Sequence, residues 1–241
     1  MIFHLLTIFP EFFESPFAHG VVSRAVAAGL VEKRIHNLRD WTRDRHKTVD
    51  DRPFGGGEGM VLKPAPIFEA VDSIWPERSP QSSDGRKVVL LSAQGRLYDQ
   101  AMANRLSLEQ ELLFICGRYE GVDERVAEHL ADEEVSIGNY VLSGGELAAA
   151  VVIDAVARLL PGVLGNESSA AFESFQETGH GEGLLDCPHW TRPADFRGWK
   201  VPEVLLNGNH EEIRQFRRKI AREKTGRLRP DLLDAKSGRE G

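Results

Sequence analysis

The chain has 241 residues, 41% of them hydrophobic, which is enough for one sizeable core and a smaller second unit. Its two cysteines, Cys116 and Cys187, lack the paired spacing of a disulfide framework or a cysteine-rich zinc site. The formal charge of −7 is unevenly placed: residues 213–229 hold eight Lys or Arg against Glu223 alone, a local +7 that leaves −14 for the remainder, so the sum does not exclude a nucleic-acid partner.

The apolar opening Ile2 to Phe9 has no basic flank, is too short to span a membrane and runs into Pro10-Glu11. The expectation is therefore a cytosolic protein with no membrane partner, and a first buried strand over Phe3 to Phe9. Next comes a glycine cluster, Arg52-Pro53-Phe54-Gly55-Gly56-Gly57-Glu58-Gly59, and the polar stretch 76–87 is expected to form a loop. Val88 to Leu91 and Leu112 to Cys116 are further apolar runs of strand length, followed by turn residues and helix-like sequence. That alternation predicts an α/β fold with a buried parallel sheet.

Two more glycine clusters follow, Gly117-Arg118-Tyr119-Glu120-Gly121 and Gly138-Asn139-Tyr140-Val141-Leu142-Ser143-Gly144-Gly145. A glycine pair is often only a tight turn. Two of the three clusters directly follow predicted strands, however, and parallel sheets bind ligands just beyond the carboxyl ends of their strands. None fits the dinucleotide fingerprint or the phosphate-loop pattern, which disfavours ordinary NAD and ATP sites.

Ser143-Gly144-Gly145-Glu146 reads as a capping box opening a helix over 146–160 that Pro161-Gly162 ends. Near its end Asp154 and Arg158 stand one helical turn apart, so Arg158 is either an intrahelical ion-pair partner or a ligand contact. Residues 165–182 lose apolar periodicity and read as a flexible linker. Beyond them Ile213, Phe216 and Ile220 share one helical face while Arg214, Arg217, Arg218, Lys219, Arg222, Lys224, Arg227 and Arg229 crowd the same segment, the pattern of a phosphate-binding helix. The histidines, His46 and His189 among them, show no metal-binding spacing and read as packing or hydrogen-bonding residues, and nothing in the sequence requires a metal.

Several long motifs stand in order: Thr7-Ile8-Phe9-Pro10, Asp50-Asp51-Arg52-Pro53-Phe54-Gly55-Gly56-Gly57, Cys116-Gly117-Arg118-Tyr119-Glu120-Gly121, Ser136-Ile137-Gly138-Asn139-Tyr140-Val141-Leu142-Ser143-Gly144-Gly145-Glu146, Pro161-Gly162-Val163-Leu164-Gly165, and Leu184-Leu185-Asp186-Cys187-Pro188-His189-Trp190-Thr191-Arg192-Pro193. Together they resemble the bacterial tRNA (guanine-N1)-methyltransferases of the knotted SPOUT superfamily, over nearly the whole chain.

The resemblance implies a deep trefoil knot in a cofactor-binding α/β domain, residues 1–164, then the linker 165–182 and a small, mostly helical tRNA-binding domain, 183–241. It implies S-adenosylmethionine held in a bent shape by Leu91, Gly117, Arg118, Tyr119, Glu120, Gly121, Ile137, Gly138, Asn139, Tyr140, Val141, Leu142, Gly144 and Gly145. The methyl acceptor would be N1 of guanine 37 in tRNA, a modification that supports reading-frame maintenance, and the base would be extruded from the anticodon loop. Contacts to the substrate would come from Asp50, Arg52, Gly55, Gly56 and Gly57, and from Arg214, Arg217 and Arg218.

The family places an aspartate before Ser-Phe as general base, and Glu173-Ser174-Phe175 is the matching triplet here. Glutamate lengthens the arm by roughly 1.5 Å, a shift of the size to which catalysis responds; the segment from Gln176 to Gly183 is longer than the family's, which could supply slack. The base therefore lies between Glu173 and Asp186. By the same carry-over Asp186 would fix the guanine and Arg158 would stabilise charge on its O6. A further departure, Ala93 in place of a common proline, implies a small change in loop stiffness. The family works as a homodimer in which one subunit's linker and tail close over the other's knot. The competing expectation is a SPOUT RNA-binding protein that is catalytically silent or aimed at another RNA position.

Overall fold

The computed structural model describes residues 1–78, 84–165, 173–176 and 183–233, and its internal contacts divide the chain into two units, Met1–Gly165 and Asn166–Gly241. Most of the expected linker 165–182 lies outside the described residues.

In the first unit β1 (Ile2–Thr7), α1 (Gly20–Ala27), β2 (Glu32–Asn37), β3 (Asp50–Asp51), β4 (Val61–Leu62), α2 (Pro64–Ile74), β5 (Arg86–Leu97), α3 (Gln100–Leu106), β6 (Glu111–Cys116), α4 (Glu124–His129), β7 (Glu133–Ser136) and α5 (Glu146–Ala157) follow in chain order. Five strands form one sheet in the order β2-β1-β6-β5-β7, every pair parallel. The apolar runs sit at its centre because a strand covered on both faces must be apolar at successive positions. Phe3, Leu5, Val89, Leu91, Leu112, Phe114 and Cys116 point to the layer of α1, α3 and α5. Leu6, Val88, Leu90, Leu113 and Ile115 point to the layer of α2 and α4. The period-two alternation along each strand builds a core on each face of the sheet.

The observed strands differ from the expected ones at their ends. β1 stops at Thr7 because the Thr7 hydroxyl accepts the Phe9 N–H at 2.9 Å and Pro10–Phe13 curls into a short helical turn. β5 begins at Arg86, inside the expected loop, and runs to Leu97 with a bulge between Leu91 and Arg96. α5 ends at Ala157, three residues early, and a turn carries the chain to Pro161-Gly162.

At the amino end of the sheet lies a polar cluster that hydropathy alone does not reveal. His4 Nδ1 lies 2.9 Å from His36 Nε2, and His4 Nε2 lies 2.9 Å from Glu111 Oε2, which also accepts the Trp75 indole N–H at 2.9 Å. Burial holds both histidines below their ordinary range, His4 against the opposing pull of Glu111 and His36 to about 4 with His4 and Arg34 adding to the effect. Because the folded-state values lie below the unfolded value of about 6.5, the neutral pair stabilises the fold above that pH, and this stabilisation is lost as pH falls from 6.5 towards 4. The unfolding midpoint, Tm, is expected to fall between pH 6.5 and 5, with a shallower fall in His36→Asn; parallel curves would contradict the assignment.

The second unit contains an antiparallel hairpin, β8 (Asp195–Phe196) and β9 (Trp199–Lys200), a short turn at Glu203–Leu205 and the long helix α6 (His210–Leu228). Asn209 caps α6, its side-chain oxygen accepting the N–H groups of Glu211 and Glu212. Ile213, Phe216 and Ile220 are half-covered on one side, as their spacing predicts, and Thr225 is fully buried, accepting the Leu185 N–H at 3.1 Å.

Candidate active site

The carboxyl ends of β5, β6 and β7 open on one cleft of about 250 Å³. Each strand contributes a loop. β5 leaves its ladder at the bulge, β6 feeds Gly117 to Gly121, and β7 feeds Ile137 to Gly145. The last two loops are laid against each other: the Gly145 N–H donates to Gly117 O at 2.9 Å, and Arg118 and Gly144 form an antiparallel bridge. This approach requires glycine, since a Cβ on Gly145 would lie 2.8 Å from Cys116 Cα and 3.2 Å from Gly117 N, both backbone atoms that cannot step aside.

Thirteen of the fourteen residues that the resemblance assigns to the cofactor line this cleft, from Leu91 through the two glycine loops; Asn139 does not. Ser92, Ala93, Gln94, Glu124 and Glu134 line it as well. The resemblance, which marks Ala93 only as a departure from proline, assigns none of these five to the cofactor; they lie on the bulge of β5, in α4 and in β7, which become neighbours only through the sheet order.

One side chain ties the cleft together. Glu146, 1% exposed, accepts the Thr7 hydroxyl at 2.7 Å and Arg118 Nε at 3.2 Å through Oε1, and pairs with Arg118 Nη2 at 2.9 Å through Oε2. Arg118 also donates to Ser143 O at 3.1 Å, and its guanidinium lies 4.7 Å from the Phe9 ring centre. The expected capping box does not form. Helix α5 starts at Glu146 with Gly145 as its cap and no side-chain cap bond, because the chain through Gly144 is engaged with Arg118 and the glutamate turns inward.

The first glycine cluster joins the same region. β3 and β4 pair antiparallel, Asp50 with Leu62 and Asp51 with Val61, and the intervening turn carries Arg52, the fully exposed Phe54 and Gly55, Gly56 and Gly57. Its return leg is stitched to the cleft loop: Glu120 N–H donates to Met60 O and Leu62 N–H to Gly121 O, each at 3.0 Å. Asp50, Arg52 and the three glycines thus belong to a loop that begins at the cleft wall. Arg158, half-buried, closes α5, its backbone N–H donating to Asp154 O at 3.3 Å.

Within the second unit the two candidate bases are neighbours. The Ser174 hydroxyl accepts the Asp186 N–H at 2.9 Å, and Phe175 N–H donates to Leu184 O at 2.9 Å, so Glu173-Ser174-Phe175 runs beside Leu184 to Asp186. Both carboxylates are half-buried. Asp186 accepts the Cys187 N–H at 2.6 Å and lies 2.9 Å from His189 Nε2. The hydrogen-bonding role expected for His189 is thus observed. Asp186, Cys187 and His189 also bring their donor atoms within 4.8 Å of one another, a grouping that no metal-binding spacing in the sequence announces. Arg214, Arg217 and Arg218 lie exposed on α6, with Arg214 paired to Glu211 at 2.6 Å, and Arg217 lines a second cavity with Trp190 and Ile213.

A family model described as tRNA (Guanine-1)-methyltransferase TrmD matches residues 1–235. A tRNA (guanine-N(1)-)-methyltransferase of Koribacter versatilis is 58% identical over 95% of this chain and 91% of its own. Proteins of the same name from Dehalococcoides mccartyi and Geobacter metallireducens are 53% and 51% identical, covering 95% and 97% of this chain and 89% and 91% of theirs. The chain belongs to the tRNA (guanine-1)-methyltransferase family.

Proposed function

We propose that this protein transfers a methyl group from S-adenosylmethionine to N1 of guanine 37 in tRNA, and so supports reading-frame maintenance. The observation that carries the proposal is the single cleft that gathers residues from three separated sequence motifs at the carboxyl ends of β5, β6 and β7. The residues present fit the cofactor: closely laid glycine backbone suits a ligand bound by main-chain groups, apolar Leu91, Ile137 and Leu142 suit an adenine, and Glu120 and Glu134 suit a sulfonium cation. When bound, S-adenosylmethionine supplies a methyl group that is already strongly electrophilic, so the protein's work is alignment and proton removal.

In this reading Glu173 takes the guanine N1 proton, Arg158 stabilises the charge that gathers on O6, and Asp186 holds the guanine edge. Asp50, Arg52 and Gly55 to Gly57 contact the substrate beside the cleft, and Arg214, Arg217 and Arg218 bind phosphates. The trefoil knot is carried over from the resemblance and is compatible with the 117–121 and 137–145 loops lying against each other, within a domain of residues 1–164, with 165–182 as linker and 183–241 as RNA-binding domain. The working form is a homodimer in which the linker and tail of one copy complete the site of the other. Among the described residues no helix is long and apolar enough to cross a membrane. The reading places the protein's action on tRNA in the cytosol.

The test is transfer of labelled methyl groups to tRNA transcripts carrying guanine or adenine at position 37. Transfer that requires guanine is the expected result. Cofactor and RNA binding without transfer would identify a silent RNA-binding protein instead.

A further inference from the structure

The hairpin of β8 and β9 turns two large rings towards solvent: Phe196 is 53% and Trp199 72% exposed, with ring centres 6.3 Å apart. Its backbone is secured without them. The Asp195 carboxylate accepts the Gly198 N–H at 2.9 Å, and Val201 N–H donates to Ala194 O at 2.9 Å at the base of the hairpin. The two turn residues, Arg197 at φ 57° and Gly198 at φ 83°, are both left-handed, as a tight two-residue hairpin turn demands. Glycine adopts that conformation freely and asparagine or aspartate tolerates it, so an arginine in the first position is not explained by the turn. Its guanidinium carbon stands 5.2 Å from the Phe196 ring centre, and Lys200 follows directly after Trp199.

Exposed rings held on a stiff turn and flanked by cations match one kind of partner. Every nucleobase offers a flat π-face, and every nucleotide carries a phosphate that a nearby cation attracts. A purely apolar protein surface would satisfy the rings and leave Arg197 and Lys200 desolvated without counter-charge. We propose that Phe196 and Trp199 form a stacking platform for an unpaired base of the RNA substrate, with Arg197 and Lys200 on the adjoining phosphates. This inference rests on the tRNA reading above and adds to it a site distinct from the basic face of α6.

The experiment measures binding of the full-length protein to a stem-loop RNA bearing the anticodon loop, across a salt series. Stacking and phosphate contact separate in this assay, because only the latter releases counterions. Trp199→Ala and Phe196→Ala are each expected to weaken binding by roughly 10-fold or more at every salt concentration, with the logarithmic salt slope unchanged, whereas Trp199→Phe retains affinity. Arg197→Ala and Lys200→Ala are each expected to lower that slope by about 0.7. Unchanged affinity in Trp199→Ala, beside a wild type that binds, overturns the platform. So does a Trp199→Ala protein that keeps its RNA affinity but changes its oligomeric state, which would make the hairpin a contact between copies. A wild type without salt-dependent RNA binding would instead overturn the tRNA reading on which the inference rests.

Discussion

Glu173→Gln is expected to reduce methyl transfer by about 10²- to 10⁴-fold while leaving S-adenosylmethionine binding unchanged. Glutamine keeps the shape and polarity of the side chain but cannot accept the guanine N1 proton. The substitution is also gentle on the fold, since the amide matches the carboxylate in length and volume at a half-buried position. Glu173→Asp, which restores the family's usual acid, should retain far more activity than the amide. Single-turnover transfer from labelled cofactor measures the chemical step directly. If Glu173→Gln turns over at the wild-type rate, the base is Asp186, whose N–H is already tethered to Ser174, and Asp186→Asn should then carry the loss.

Glu146→Ala is expected to cost about 3–5 kcal/mol, the range for removing one partner of a buried ion pair, and to lower Tm by roughly 10 °C in a chain of this size. Truncation leaves the Thr7 hydroxyl without its acceptor and the Arg118 guanidinium without its counter-charge, and opens a void at the start of α5. The same change should weaken cofactor binding, because Arg118, which also donates to Ser143 O, then loses the buried anchor that fixes the 117–121 loop beside the start of α5. Glu146→Gln retains volume and one acceptor and should fall between the two. Thermal unfolding and cofactor titration read both effects, and an unchanged Tm in Glu146→Ala would show that the buried carboxylate does not anchor the cleft.

These two residues mark how far the sequence could be read. Glu173 is proposed as the base through the resemblance alone, by its place before Ser-Phe, and nothing in its hydropathy or spacing points to a base. Glu146 reads in the sequence as a capping residue, and the structure gives it a different role. Its distance from Ser143 fits a capping box, but the helix begins two residues later and the carboxylate faces a threonine 139 positions away. The central strands were legible because each is a continuous apolar run. β2 was not, because Glu32–Asn37 is a polar edge strand paired on one side only, and β7 was not, because it is four residues long. The basic helix was legible from the spacing of Ile213, Phe216 and Ile220, which packing then used as the spacing implies.

By itself the sequence determined the alternating α/β order, the glycine loops after the strands and the amphipathic basic helix. Each of these depends on residues a few positions apart, where steric limits and the period of the hydrophobic pattern act directly. The tertiary structure alone decided that three loops from distant strands share one cleft, that the glycine loop after β3 is stitched to the loop after β6, and that Asp186 lies beside Ser174. Such contacts follow from the order in which strands pair and from which surfaces are buried together, and no local pattern encodes that choice.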